Sequence, residues 1–398
     1  MNRTSIDAKW MRLALALARK ARGKTRPNPV VGAVIVRNGR LLGTGYHHRA
    51  GQPHAEIEAL RSAGSRRIRG ADCYVTLEPC NHTGRTPPCS EALIEAGIRR
   101  VIVAMRDPNP SVCGGGLARL MEAGIEVDCG LLEADARKLN ESWIKRVTTG
   151  LPFVILKIAS SLDGKIATAK GESRWISSEK SRSHAHRIRR TVDAILIGRG
   201  TLMSDDPSLT ARNGGRIVAA PLRVIADSRL QSPPTARMFQ PDHPGHSMIA
   251  VRNRAGEERR RAFDGLNVEI FEAGDDGGKT NLNVLLEELA RRGIERVLVE
   301  GGAELNHALL RLRLVDTVML YLAPMLIGGR DARSAIEGDG LGRLDQVPRL
   351  HHIRVRRLGP DLLVTGYPDY PVAGPEKDNQ DIRRSEEHTS ELQSRFGI

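Results

Sequence analysis

Aromatic side chains are scarce in this 398-residue chain: three Trp, five Tyr and five Phe make up 3% of it. Large stacking platforms for single-stranded nucleic acid are built from such rings, so a binder of that kind is disfavoured. Cysteine is also sparse and confined to the first third, as Cys73, Cys80, Cys89, Cys113 and Cys129. The odd count, with no secretory segment, argues against a disulfide framework. Long apolar runs are missing. The longest near the start, Leu13 to Ala18, falls far short of the roughly 20 residues a membrane span needs and reads as part of an amphipathic first helix. A cytoplasmic protein with no membrane partner is therefore expected. There is no internal repeat, and no G-x-G-x-x-G follows the first strand-like run of the second half, so a Rossmann nucleotide site is not indicated.

What is present fits a soluble globular chain, with 40% hydrophobic and 27% charged residues. The length exceeds one ordinary core, so two domains are expected. The net charge of +14 suits anionic ligands in general: nucleic acid, phosphorylated metabolites or nucleotide cofactors.

Helical and strand-like patterns alternate from residue 1 to 147. A helix at about 5–22 precedes two β-rich runs joined by Asn38-Gly39, a strong hairpin signal. Further helices are predicted from His54, from Ser90, after the loop "DPNPSVCGGG" and over 133–147; between them lie the runs "ADCYVTLEP", "RRVIVAM" and "IEVDCG". This alternation implies a three-layer α/β domain. After Gly150-Leu151-Pro152 the alternation restarts, and a second α/β domain is predicted over 151–368, with strands at "FVILKIA", "DAILIG", "LRVIAD", "SMIAV", "NVEIF", "RVLVEGG" and "TVMLYLAPML" and helices at 178–191 and 283–292. Residues 371–398 turn polar and aperiodic, the pattern of a disordered tail. Within it "RSEEHTSELQS", Arg384 to Ser394, resembles a back-translated sequencing-library adapter and is expected to be an artefact standing in place of the natural C-terminus.

Chemistry concentrates first around "QPHAEIEAL" and "TLEPCNHTGRTPPCSEALIEAG". His54, Cys80 and Cys89 are one imidazole and two thiols, good zinc ligands, and three protein ligands leave a fourth position for water. Cys89 opens a predicted helix, where unpaired N–H groups favour a thiolate. Zinc brings a bound water's pKa to about 7, and attack on an amidine-like carbon then needs a carrier to move a proton to the leaving ammonia. Glu56 fits that role. Residues two apart diverge in mid-helix, so His54 and Glu56 serve one site only at the helix tip, where Pro53 places them. A closed structural site with His82 as fourth ligand is the alternative, and it leaves Glu56 without a task. Cys73, Cys113 and Cys129 read as small buried hydrophobes.

His-x-Glu followed by Pro-Cys and a second Cys resembles the cytidine deaminase-like zinc hydrolases, although eight residues rather than two separate the thiols. The strings "EPCNHTGRTPPC", "RPNPVVGAVIV", "GYHHRAGQPHAE" and "RDPNPSVCGGGL" resemble, more narrowly, the deaminase half of the bifunctional riboflavin-biosynthesis deaminase/reductases. That resemblance implies His54, Cys80 and Cys89 as zinc ligands, Glu56 as proton donor and Asn28 as a holder of the pyrimidine. In the second half, "RVLVEGGAELNHALL" sets Gly301-Gly302 between a strand and a helix, a place where backbone N–H groups approach a phosphate closely. With "LKIASSLDGKIA", "GESRWISS", "ILIGRGTLMSDDPSLTAR" and "RVIADS" it resembles the reductase half of the same family, whose fold is like dihydrofolate reductase and whose cofactor is NADPH. The resemblance implies that Ala159, Trp175, Thr201, Asp205, Ser228 and the run Gly302, Ala303, Glu304, Leu305, Asn306, His307 and Ala308 line the cofactor. It places Ser173, Arg189, Leu209, Arg212 and Glu300 at the substrate. Arg189 and Arg212 suit a 5′-phosphate; Asp205 and Lys157 are candidates for the reductase's acid.

The expectation is thus a zinc- and NADPH-dependent enzyme of two consecutive riboflavin-pathway steps, with a small phosphorylated pyrimidine as substrate, no nucleic-acid partner and self-association. A nucleic-acid-editing deaminase would share the zinc site but leave the second domain unexplained. A catalytically dead zinc-stabilised binding module would leave Glu56 unexplained.

Overall fold

The computed structural model describes residues 3–64, 68–82, 87–110, 114–253 and 255–371. The expectations for Cys113 and for the chain beyond Pro371 fall outside these described residues.

Strands β1 (Gly32–Arg37), β2 (Arg40–Tyr46), β3 (Asp72–Val75), β4 (Arg100–Val103) and β5 (Glu126–Cys129) form one sheet in the order β2-β1-β3-β4-β5. β1 runs antiparallel to both neighbours, while β3, β4 and β5 are parallel. At the predicted hairpin Asn38 and Gly39 take φ of 51° and 73°, the positive pair that a tight two-residue hairpin loop demands. Alternate residues of β1 face opposite ways. Val34 and Val36 pack with Trp10, Met11, Ala14 and Leu15 of α1 (Arg3–Arg19). Ala33 and Ile35 pack with α2 (Ala55–Ala63), α3 (Cys89–Glu95) and α4 (Gly115–Glu122) through Ala55, Ala59, Leu93, Leu117 and Leu120. The result is three layers.

Two details depart from the sequence reading. The single helix over 133–147 is two, α5 (Glu133–Leu139) and α6 (Glu141–Thr149). Asn140 interrupts them because its buried amide clamps Val30, accepting from its N–H at 2.9 Å and donating to its carbonyl at 3.0 Å. Cys129 is exposed rather than buried, since β5 is the edge strand of the sheet and three of its four residues face solvent.

The second sheet has nine strands. β6 (Phe153–Ser161) is followed by α7 (Glu179–Arg189), β7 (Ala194–Gly198), α8 (Arg199–Asp205) and the small hairpin β8 (Ala211–Asn213) and β9 (Arg216–Ala219). Then come β10 (Leu222–Ala226), β11 (Ser247–Val251), α9 (Glu257–Arg261), β12 (Val268–Glu272) and a short hairpin of β13 (Asp275–Asp276) and β14 (Lys279–Thr280). α10 (Leu282–Arg291), β15 (Arg296–Val299), α11 (Ala303–Arg311), β16 (Thr317–Ala323), β17 (Arg349–Leu358) and β18 (Asp361–Asp369) complete it. The order is β12-β11-β10-β7-β15-β6-β16-β18-β17, parallel through β16 and antiparallel over the last two. Parallel strands buried on both faces read as continuous apolar runs. Accordingly Val154, Leu156 and Val299 pack under α10 and α11, and Phe153, Ile155 and Leu298 pack on the other face with Ile195, Ile225 and Phe239. Ser178 caps α7 by accepting from Ser181 N–H, and Asn281 caps α10 by accepting from Asn283 and Val284 N–H.

Charged ties run between the two sheets' surroundings. Arg26 pairs with Asp193 and lies 3.7 Å from Glu295, which Arg146 also reaches at 3.2 Å. Lys145 meets Asp316 at 2.6 Å, and Tyr367 donates to Glu141 at 2.6 Å.

Candidate active sites

α2 lies directly on β2 because that strand offers glycine where the helix passes. A Cβ at Gly45 would stand 2.2 Å from the Ala55 carbonyl oxygen and 2.4 Å from Ala59 N. This contact fixes the helix tip. His54 is its N-cap, in extended conformation, and Glu56 sits in the first turn, 3% exposed. Cys89 begins α3, and Cys80 lies on the turn beyond β3; the Cys89 N–H donates to the Cys80 sulfur at 3.4 Å. His54 Nδ1 is 3.3 Å from Cys89 Sγ and 3.5 Å from Cys80 Sγ, and the three ligand atoms lie within 4.8 Å of one another. Donors on a tetrahedral zinc stand about 3.5–3.8 Å apart, given its N and S bond lengths. The donor set and its spacing fit zinc. His82 is exposed and outside this group, so among the described residues no fourth ligand closes it.

The electrostatics support a thiolate centre. The Cys80 thiol is pushed down, first because Cys89 hydrogen-bonds to it and then through His54, while Cys89 is pushed up by the same bond. Burial, with the Cys80 charge, raises the Glu56 carboxyl to about 7, so in the metal-free site this carboxyl exchanges a proton near neutrality.

Asn28 comes to the same place, through a residue the sequence reading passed over. His47 Nδ1 lies 3.1 Å from the Pro53 carbonyl, its Nε2 lies 3.1 Å from Asn28 Nδ2, and its ring stands edge-on to His54 at 5.5 Å between centroids. A carbonyl only accepts, so Nδ1 carries the proton and Nε2 accepts from Asn28. Burial pushes His47 below the usual imidazole range, which keeps this neutral tautomer. The available signal was "GYHH" itself, whose string had no role attached to its histidines.

The second constellation gathers at the carboxyl ends of parallel strands, the usual ligand crevice of such sheets. Ala159 lies near the end of β6, Thr201 in α8 just after β7, Ser228 just after β10 and Glu300 just after β15. Gly301 takes φ of 104°, and Gly302 donates to Thr201 Oγ1 at 3.0 Å, with room for a Cβ only against that hydroxyl, 3.4 Å away. The N–H groups of Ala303, Glu304 and Leu305 open α11 and have no intrahelical acceptor; Asn306 N–H already bonds to Gly302 O. A helix N-terminus bared by two glycines fits the phosphates of a dinucleotide. Within the run expected to line the cofactor, the Leu305 side chain belongs to the core and Asn306 donates to the Ala335 carbonyl. His307 packs beneath Gly338, and Ala308 lies against the core. Glu304 is exposed and pairs with Lys279. Ser228 accepts from Thr280 N–H at 2.9 Å. Trp175 is 67% exposed, its ring under the Arg182 guanidinium.

At the substrate side, Arg189 grips Glu300 through two bonds of 2.5 and 2.9 Å and donates to the Thr210 carbonyl. The sequence reading treated Arg189 as a phosphate donor alone; the structure shows a guanidinium already fixed by a carboxylate. Burial raises Glu300, but the Arg189 charge and bonds, with Lys157 3.9 Å away, outweigh it and hold the carboxyl down to about 2. Arg212 lies on β8; its side chain bonds to Thr210 Oγ1 and its backbone N–H to His186 Nδ1. Leu209 is buried with φ of 48°. Ser173 and Asp205 approach at 3.4 Å.

Residues 4–105 match the cytidine and deoxycytidylate deaminase zinc-binding region, and residues 152–364 match the RibD C-terminal domain. The riboflavin biosynthesis protein RibD of Bacillus amyloliquefaciens is 41% identical over 382 residues, covering 96% of this chain and all of that protein. The chain belongs to the RibD family. The RibD of Escherichia coli (strain K12) is likewise 41% identical, over 89% of this chain and 98% of its own length. Among solved structures, Acinetobacter baumannii RibD has a TM-score of 0.78 at 39% identity, covering 92% of this chain and 99% of its own. A Thermotoga maritima diaminohydroxyphosphoribosylaminopyrimidine deaminase/5-amino-6-(5-phosphoribosylamino)uracil reductase has 0.79 at 34%, covering 92% and 100%. Family membership makes the chain a bifunctional enzyme, a cytidine deaminase-like α/β/α half joined to a reductase half, with zinc and NADPH as its cofactors. No helix of the described residues is long and apolar enough to cross a membrane.

Proposed function

We propose that the chain deaminates 2,5-diamino-6-(5-phosphoribosylamino)pyrimidin-4(3H)-one at its 2-amino group and then reduces the ribosyl chain of the resulting uracil to ribityl. The observation that carries this reading is the convergence of His54, Cys80 and Cys89 within 4.8 Å, with Glu56 buried beside them and an NADPH-type reductase domain on the same chain.

His54, Cys80 and Cys89 would hold zinc, which would supply Lewis-acid activation of water. Glu56, buried beside these ligands, is the group that would carry a proton from water to the 2-amino nitrogen, so that ammonia leaves as the carbonyl forms. Asn28, its amide nitrogen engaged by His47, offers Oδ1 to a pyrimidine N–H. In the second half the start of α11, with Thr201 and Ser228, would hold NADPH, which would supply the hydride for reduction at C1′ of the sugar. The Arg212 guanidinium receives the 5′-phosphate in charge-assisted bonds, Arg189 orients the Glu300 carboxylate it grips, and Asp205 or Lys157 delivers the proton that accompanies hydride. The division of labour runs from residues 1–147 to 151–368. The enzyme acts on this small phosphorylated pyrimidine and not on nucleic acid, works in the cytoplasm, and associates with copies of itself; a monomer in analytical ultracentrifugation would end the last point.

The decisive experiment incubates zinc-loaded protein with the diaminopyrimidine phosphate, following ammonia and then NADPH absorbance. Ammonia followed by stoichiometric NADPH consumption is the expected result. Release of ammonia from a tRNA or single strand instead, with steep salt dependence, would overturn it in favour of an editing deaminase.

A further inference from the structure

α4 begins at Gly115 behind the N-cap Gly114, whose φ of 80° and lack of a side chain leave the helix without a local cap. Its cap comes from 36–39 residues upstream in sequence. The Glu78 carboxylate, 4% exposed, takes four backbone N–H groups. Oε2 accepts from Asp107 at 3.1 Å and Gly114 at 3.2 Å; Oε1 accepts from Gly116 at 3.1 Å and Leu117 at 3.3 Å. Four donors converge on one acid, so both oxygens act purely as acceptors, and negative charge sits where the helix dipole favours it. A second contact joins the same pieces: a Cβ at Gly116 would lie 1.8 Å from the Pro79 carbonyl oxygen. The start of α4 therefore presses on the peptide immediately before Cys80 and is bonded to the residue immediately before that. Beyond it, Cys80 O accepts from Ser90 N–H at 3.2 Å, and Asn81 Oδ1 accepts from Ser90 Oγ at 2.7 Å, which ties the turn to α3 and Cys89.

We infer that Glu78 is a positioning residue of the deaminase centre: by gathering the Asp107 N–H and the first turn of α4 onto its carboxylate, it fixes the turn that aims the Cys80 sulfur. The inference rests on the zinc-deaminase reading of this half. An acid is required at this position and its amide is a poor substitute. In Glu78→Gln one oxygen becomes an NH2 that meets two N–H donors, leaving two buried donors unbonded. In Glu78→Asp both acceptors survive on a shorter arm.

The test titrates cobalt(II) into metal-free wild type, Glu78→Gln and Glu78→Asp, recording the visible ligand-field and thiolate-to-metal bands, and measures zinc affinity against a chromophoric chelator. Reductase turnover of each variant reports that the chain is folded. Glu78→Gln is expected to weaken zinc roughly tenfold, the lower end for residues that orient metal ligands, and to shift the cobalt bands, with Glu78→Asp recovering most of both. Should Glu78→Gln not fold, Gly116→Ala, which pushes on Pro79 from the other side, is expected to shift the same bands. Wild-type bands and affinity in folded Glu78→Gln, or in Gly116→Ala, overturn the positioning role. Absence of metal binding in the wild type itself would instead defeat the zinc reading.

Discussion

Adding one methyl group at Gly45 tests whether the seat of α2 on β2 sets deaminase geometry. In Gly45→Ala the new Cβ would stand 2.2 Å from the Ala55 carbonyl oxygen, against ordinary contact from 3.4 Å outward. The helix must then retreat by about 1.2 Å, since the neighbours are backbone and have no rotamer to give. Overpacking of this kind costs about 1–3 kcal/mol, which a chain of this size tolerates. The retreat acts on the helix that carries both the N-cap His54 and Glu56, and a misplacement of about 1 Å costs on the order of 100-fold in rate. Ammonia release is therefore expected to fall about 100-fold while NADPH oxidation on supplied uracil intermediate stays at the wild-type rate, because the second sheet makes no use of Gly45. The assay is steady-state turnover of both half-reactions on one preparation. Deaminase activity within twofold of wild type, in a folded variant, would refute the argument that this contact holds the site.

Three further outcomes follow from the geometry. Glu56→Gln should keep zinc yet lower ammonia release by roughly 100- to 10,000-fold, the range for loss of general acid–base catalysis; metal content and turnover measured together check it. Removing metal with a chelator should abolish ammonia release and spare NADPH oxidation, and equal loss of both would contradict the assignment of zinc to the first half alone. The Arg189–Glu300 pair depresses the Glu300 carboxyl from its ordinary 4.5 to about 2. Its stabilising contribution is thus complete above the unfolded value and is lost as pH falls through about 2. Glu300→Gln should accordingly flatten the acid dependence of unfolding over that window; it should also leave Arg189 unpaired in a buried site, at a cost of about 3–5 kcal/mol. Melting curves of both proteins across the window decide the matter.

The elements legible in the sequence were those fixed by local chemistry. Asn38-Gly39 declared its turn, and the His-x-Glu and Pro-Cys strings pointed to a metal site once the family-like strings around them were read with them. What escaped depends on contacts distant in sequence. Asn140 breaks a helical pattern because Val30, 110 residues away, needs its amide. Arg189 looked like a free phosphate donor because nothing local reveals that Glu300 occupies it. β17 was missed since "RLHHIRVRRL" carries arginine at four of its ten positions and two adjacent histidines; as an exposed edge strand it has no buried face to impose an alternating pattern, and such charge protects an edge from adventitious pairing.

The ion pairs of Arg26 carry a consequence for function as well as for stability. Arg26 is two residues from Asn28, so the segment proposed to meet the pyrimidine in the first reaction is moored on Asp193 and Glu295, which flank strands of the other half. A drift at either acid would be registered as altered affinity in chemistry it never touches. The first half therefore rests on acids of the second, and a substitution at Asp193 or Glu295 removes a support from both.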